Sequence, residues 1–190
     1  MLGASLLASL AVSASSRADA PARTNGTDPR TEDREHTIKA AFLLNFIRYA
    51  TWPKTSFEGP ESPIRVLVVG RDPFGQVLEA TFRGEKVRGR AIEVARSAEV
   101  PIEITAHVVF SGELAKGERE VLLARCKAKP ILLVGEFEGL AQDGACINFY
   151  LQDQKTRFEI NVDALSDDGL ELSPDVLKLA RIVRTRREGG

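Results

Sequence analysis

The 190-residue chain is 43% hydrophobic, enough for one domain with a core of its own. Its 26 Lys and Arg against 27 Asp and Glu leave a formal net charge of −1. That balance argues against a nucleic-acid binder, which would carry a basic stripe, and matches the mixed charge of a solvated surface.

The chain opens on "MLGASLLASLAVSASSRADA", with an apolar run from Leu2 to Val12 and small-x-small contexts at Ser16-Arg17-Ala18 and Ala18-Asp19-Ala20. The run is shorter than the roughly 20 residues a membrane-spanning helix needs. Residues 1–20 therefore read as a secretory signal peptide, with the mature chain starting near Asp19 or Pro21. No Lys or Arg precedes the run, which departs from the usual basic start, and no Cys follows it to carry a lipid. Export would place the chain in the periplasm, with no membrane span left after cleavage. Residues 21–35 lack large apolar side chains and read as a disordered leader.

The domain proper is expected over 36–184. "EHTIKAAFLLNFIRYATWP" reads as a helix buried on several sides and stopped by Trp52-Pro53. "PIRVLVVG" is a central strand, and "RDPFGQVLEATF" a helix with Asp72 placed to cap and Pro73 in its first turn. Two further strands, "RAIEVARSA" and "AHVVFSG", precede the helix "GELAKGEREVLLARC" and the buried strand "KPILLVGE". Then "ACINFYLQDQKTRFEINV" reads as a hairpin turning at Asp153-Gln154. "DALSDDG" is a short helix ended by Gly169, and Ser173-Pro174 start a last helix with Val176, Leu179, Ala180 and Val183 as its buried stripe. This order predicts an α/β fold: a single-domain three-layer sandwich with a largely parallel central sheet and a C-terminal β-hairpin plus helix. Residues 185–190 form a basic tail.

Candidate sites are few. His36 and His107 have no ligand-spaced neighbours, and no nucleophile elbow, zinc-protease helix or phosphate loop occurs, so neither catalysis nor a cofactor or metal is expected. Gly70, Arg71 and Gly75 follow a strand and precede a helix, where α/β proteins hold anions, which makes them a candidate ligand loop; a plain turn has the same signature. Cys126 and Cys146 stand 20 positions apart. A bridge between them would contribute about 3 kcal/mol, and two buried free thiols fit their apolar contexts equally well. Arg157, Glu159 and Asn161 alternate with Phe158, Ile160 and Val162, so the polar three share one strand face, either a recognition surface or a solvated side.

The stretches "IKAAFLLNFIRYATWP" and "GACINFYLQDQKTRFEINVDALSDDGLELSPDVLKLARIV" resemble the YfiR/HmsC-like family of periplasmic regulators, with "VLVVGRDPFGQVLE" and "KPILLVGE" in the expected order between them. The resemblance spans about residues 36 to 184. It carries family identity onto Lys39, Phe42, Asn45, Trp52, Pro53, Arg157, Phe158, Glu159, Asn161 and Leu170. Of these, Arg157, Glu159, Asn161 and Leu170 are the candidate partner-binding residues, with Arg157 and Glu159 expected to pair or to orient the surface and Asn161 to bond backbone at the strand-to-helix junction. The resemblance implies a non-enzymatic protein that binds the periplasmic domain of an inner-membrane diguanylate cyclase, or of a histidine kinase, and restrains cyclic di-GMP signalling. It also implies homodimer formation and, in some members, a response to redox state. The rival reading is a periplasmic small-molecule sensor using the Gly70–Gly75 loop.

Overall fold

The computed structural model describes residues 29–186, so the expected signal peptide, the first part of the leader and residues 187–190 lie outside the described residues. Helix α1 (Pro29–Tyr49) starts well before His36, inside the expected leader. Glu35 explains part of this, since it ion-pairs with Lys39 one turn on. The far end of α1 stops at Tyr49, before Trp52-Pro53, because β1 (Ala50–Thr51) peels off to pair antiparallel with β9 (Glu171–Leu172).

The central sheet is built from β2 (Ile64–Val69), β3 (Lys86–Val87), β4 (Arg90–Ser97), β5 (Val108–Ser111), β6 (Leu132–Gly135), β7 (Ile147–Gln152), β8 (Lys155–Asn161) and β10 (Arg181–Val183). Its order is β10-β8-β7-β6-β5-β2-β4-β3, parallel except at β7–β8 and β3–β4. Side chains alternate across it, as a strand's two-residue period demands. Val66, Val68, Val108, Phe110, Leu132 and Val134 enter one core cluster with α1 and α2 (Val77–Phe82). Val69, Val109 and Leu133 enter the other, beneath α3 (Lys116–Cys126). Three layers result, as expected.

The first cluster is anchored by aromatic rings. Phe46 of α1 lies 5.0 Å from Phe158 and 5.8 Å from Phe149, and Phe42 5.2 Å from Phe158. A fully buried ring of this size contributes roughly 1.5–3 kcal/mol. The hairpin and helix thus clamp each other.

The β7–β8 turn falls at Asp153-Gln154 as predicted, with φ of 50° and 58°. Two successive left-handed residues match the twist of a two-residue hairpin even without glycine. The strand through Arg157 ends one residue earlier than its alternation suggests, because Val162 already belongs to α4 (Val162–Asp167). Gly169, at φ 69°, terminates α4 as anticipated.

Two expected helices are shorter. Asp72 does not cap α2: its carboxylate accepts the Phe74 N–H at 2.8 Å in a local turn, and α2 starts at Val77. Ser173 does cap α5 (Pro174–Leu177), accepting from the Asp175 N–H, but α5 makes barely one turn. The predicted stripe breaks there, with Leu179 73% exposed and Val183 in β10. Parallel pairing of Arg181–Val183 with Glu159–Asn161 gives those backbone groups partners that a lengthened helix would take from the sheet.

Candidate functional site

The polar face of β8 is not a solvated side. Glu159 is 1% exposed and Asn161 fully buried, because the segment 137–145 lies over that face and the Arg181 and Thr185 side chains reach onto it. Only Arg157, toward the hairpin tip, remains exposed, and it has no ion-pair partner among the described residues. Glu159 pairs instead with Arg181, its register partner on β10. The Arg181 Nε donates to Glu159 Oε2 at 3.0 Å, a second guanidinium nitrogen grips the same oxygen, and the guanidinium lies 4.3 Å from the Tyr150 ring centre. Hydrogen bonding to Glu159, reinforced by its charge, raises the Arg181 pKa further. Across the hairpin, the Asn148 side-chain amide donates to Glu159 Oε1 at 3.2 Å.

Asn161 acts at the strand-to-helix junction as expected. Its carbonyl accepts from the Asp163 and Ala164 N–H groups at 3.0 and 3.1 Å, capping α4. Its amide nitrogen donates to Ala141 O and Thr185 Oγ1, stitching the covering segment and the chain's C-terminal arm onto the sheet. Leu170, the fourth partner-binding candidate, is 4% exposed and belongs to the α1-side core. Its side chain is a packing element.

Lys39 extends the buried polar strip. Nearly inaccessible on α1, it bonds both Glu136, just past β6, and Glu35. Burial would depress the ammonium pKa, but the bonds to Glu136 and Glu35 together outweigh it and raise the pKa. Lys39, Asn148, Glu159 and Asn161 all lie in the stretches "IKAAF", "INF" and "RFEIN" that carried the resemblance, and all four are buried. Asn148 was visible there; Arg181, in a stretch read as helix, was not.

The Gly70–Gly75 loop is not arranged for an anion. The Gly70 N–H already donates to Ser97 O at 2.9 Å and the Arg71 N–H to Glu113 O at 3.2 Å. Gly70 adopts φ 84°, and a Cβ there would lie 2.6 Å from Glu113 O, so the glycine serves packing against the neighbouring loop. Arg71 pairs on the surface with Glu113, and the adjoining cavity of about 680 Å³ is lined by Glu35, Asp72, Glu113 and Glu136. That acidic rim disfavours phosphate.

Cys126 and Cys146 are both free and buried. Cys146 Sγ lies 3.5 Å from Asp168 Oδ2 and 3.7 Å from Ile131 O. Burial pushes the Cys126 thiol up to about 12 and Cys146 well above its ordinary value, with Asp168 adding to both. His107 is likewise occupied: Nδ1 accepts the Arg65 N–H at 3.0 Å, Nε2 lies 2.9 Å from Ser56 O, and the ring stacks 4.5 Å from Phe57.

The mostly parallel sheet, covered by α1 and α2 on one face and α3 on the other, defines a three-layer α/β domain whose signature polar groups are sealed inside it. The YfiR/HmsC-like family model matches residues 36–181, and the chain belongs to that family. Its members are periplasmic regulators of diguanylate cyclase signalling. No helix among the described residues is long and apolar enough to cross a membrane.

Proposed function

We infer that the protein binds the periplasmic sensor region of an inner-membrane diguanylate cyclase and holds it inactive, without catalysis of its own. The observation that carries this reading beyond family membership is the character of the sheet's β10 end. Two large exposed apolar side chains, Leu179 and Ile182, belong to the β10 segment. β10 itself is an edge strand, with one side unpaired among the described residues. Exposed apolar groups at a free edge suit protein docking by strand addition or side-chain burial. The Glu159–Arg181 pair, with its carboxylate buried, would fix β10 in place rather than supply the apolar contacts to the partner. A thousandfold preference for the inactive receptor, about 4 kcal/mol, suffices for a brake.

The test is binding of the mature chain to periplasmic domains of diguanylate cyclases from its own organism. Ile182→Asp and Leu179→Asp should weaken the complex at unchanged melting temperature, whereas Val121→Asp, on α3, should not. Absence of binding to every such domain would refute the reading.

A further inference from the structure

A cavity of about 470 Å³ lies between the chain leaving β1 and the β3–β4 hairpin. Its apolar lining is Trp52, Phe57 and Pro60, and its charged lining is Lys54, Arg88 and Arg90. Among the described residues no carboxylate lines it, and none of the three cations has an ion-pair partner. The acidic groups closest along the chain are turned elsewhere. Glu58 pairs with Arg65 and Glu85 with Arg48, while Glu61 is exposed and outside the lining.

Arg90 is held ready. Its Nη1 donates to Gly59 O at 2.8 Å and to Ser62 O at 2.7 Å, and its guanidinium carbon lies 3.9 Å from the centre of the Phe57 ring. Phe57 is itself fixed by stacking on His107. Nε and Nη2 make no bond among the described residues, so a guanidinium already fixed in place keeps donors to spare. A side chain ordered before its ligand arrives loses little further entropy on binding.

Arg88 occupies a position that disfavours it. With Gly89 it forms the two-residue loop between Val87 and Arg90, and their φ angles are 52° and 83°. Asn or Gly meets that left-handed requirement at lower cost than Arg. Within the chain the arginine makes one surface bond, from Nη2 to Thr51 Oγ1 at 3.2 Å. A strained residue that the turn itself does not require points to a task for its side chain.

Three cations around one hollow, with no counter-charge in its lining, set the ligand's sign and favour more than one negative charge. The guanidinium fork matches the oxygens of a phosphate, and the apolar lining offers a place for an organic body. The volume falls within the range of small-molecule sites.

We propose that this cavity binds a phosphate monoester with an apolar or aromatic body, its oxygens accepting from Arg88, Arg90 and Lys54 and its body packed against Trp52, Phe57 and Pro60. The site goes beyond the docking function and does not depend on it. The β3–β4 hairpin stands at the far end of the strand order from β10.

The experiment is a calorimetric and thermal-shift titration of the mature chain with phenyl phosphate. Inorganic phosphate supplies the charge without the body, and benzyl alcohol the body without the charge. Saturable stabilisation by phenyl phosphate is expected, weaker with inorganic phosphate, absent with benzyl alcohol and declining as salt is added. R88N and K54Q should each weaken binding about tenfold or more. Without ligand, R88N should melt no lower than the parent, because Asn accepts the left-handed turn more readily. Should R88N lose stability, K54Q, which breaks no bond among the described residues, carries the test alone. Flotation with vesicles containing phosphatidic acid identifies the source of the phosphate. Flotation lost in K54Q assigns it to a lipid headgroup, and no flotation beside a phenyl phosphate response assigns it to a soluble ester. No saturable response to phenyl phosphate, an equal response to inorganic phosphate or to benzyl alcohol, or unchanged affinity in K54Q would overturn the proposal. No cyclase is present in these titrations, so their failure leaves the docking function untouched, and failure of docking leaves them untouched.

Discussion

Arg181 and Glu159 face each other in register on adjacent parallel strands, yet they share the ion pair unequally. The Glu159 side chain is 2% exposed and that of Arg181 55%. The stability of this corner therefore depends on which partner is removed. Arg181→Met strands a carboxylate in the interior, for which a loss of about 3 kcal/mol is expected. Glu159→Gln leaves a guanidinium that can turn toward water and keeps the volume, for a loss of about 1–2 kcal/mol. Arg157→Ala, which breaks no bond, should stay within about 0.5 kcal/mol of the parent. Urea unfolding of the three variants checks the order; Glu159→Gln proving the costliest would contradict it.

Asn161 ties three segments with one side chain, and its two ends can be tested separately. Asn161→Ala removes the α4 cap, typically about 1 kcal/mol, and leaves Ala141 O without its 2.6 Å donor, about 1–3 kcal/mol more. Asn161→Asp keeps a capping oxygen but turns a second oxygen toward Ala141 O. Both variants should therefore lose stability. If Asn161→Asp unfolds at the parent's urea midpoint, the stitch to the covering segment is not a stabilising contact.

Where the chain's own local chemistry decides the structure, the sequence was legible. Asp153-Gln154, Asn161, Gly169 and Ser173 each bend or cap the backbone within four residues of themselves, and each does so in the structure. What could not be read depends on partners far along the chain. Val176, Leu179, Ala180 and Val183 satisfy a helical period, but the β8 edge captures Arg181–Val183 as a strand. Alternation placed Glu159 and Asn161 on one side of β8 correctly, but no period reports that the segment 137–145 buries that side. The pairing of Glu159 with Arg181 instead of Arg157 follows from the same distant pairing. The Gly70 loop stayed open between two readings for a different reason: its strand–glycine–helix order is shared by anion sites and by plain, closely packed turns, and only the occupied N–H groups tell them apart.

The thiols offer a test of redox inertness. A thiolate is the reacting species, and burial holds Cys126 near 12 and Cys146 well above its ordinary value. Neither should react with a thiol reagent such as dithionitrobenzoate in the folded chain at pH 8, and both should react in strong denaturant. Reductant should leave the melting temperature unchanged. A titre of zero thiols in denaturant without reductant would show a bridge instead.

His107 and Asp168 should make stability depend on pH in opposite senses. Burial lowers the His107 pKa below its ordinary 6.5, the first of several causes. The unfolded chain then binds more protons than the folded one below that value, so His107 stabilises fully above pH 6.5 and its contribution is lost as pH falls through the folded pKa. The physical event is protonation of Nδ1, which would displace the Arg65 N–H it accepts. Asp168 is pushed up from 3.8 to about 6, chiefly by burial, against the opposing bonds from Cys146 and the Ala128 and Lys129 backbone. Here the folded chain binds more protons, so the contribution is fully present below 3.8 and is lost as pH rises through about 6. Melting temperature followed from pH 4 to 8 should therefore separate the two through their variants. His107→Gln should flatten the fall below pH 6.5, and Asp168→Asn should gain on the parent as pH rises from 4 to 7. An Asp168→Asn variant that loses ground over that range would show that the carboxylate's hydrogen bonds outweigh its burial.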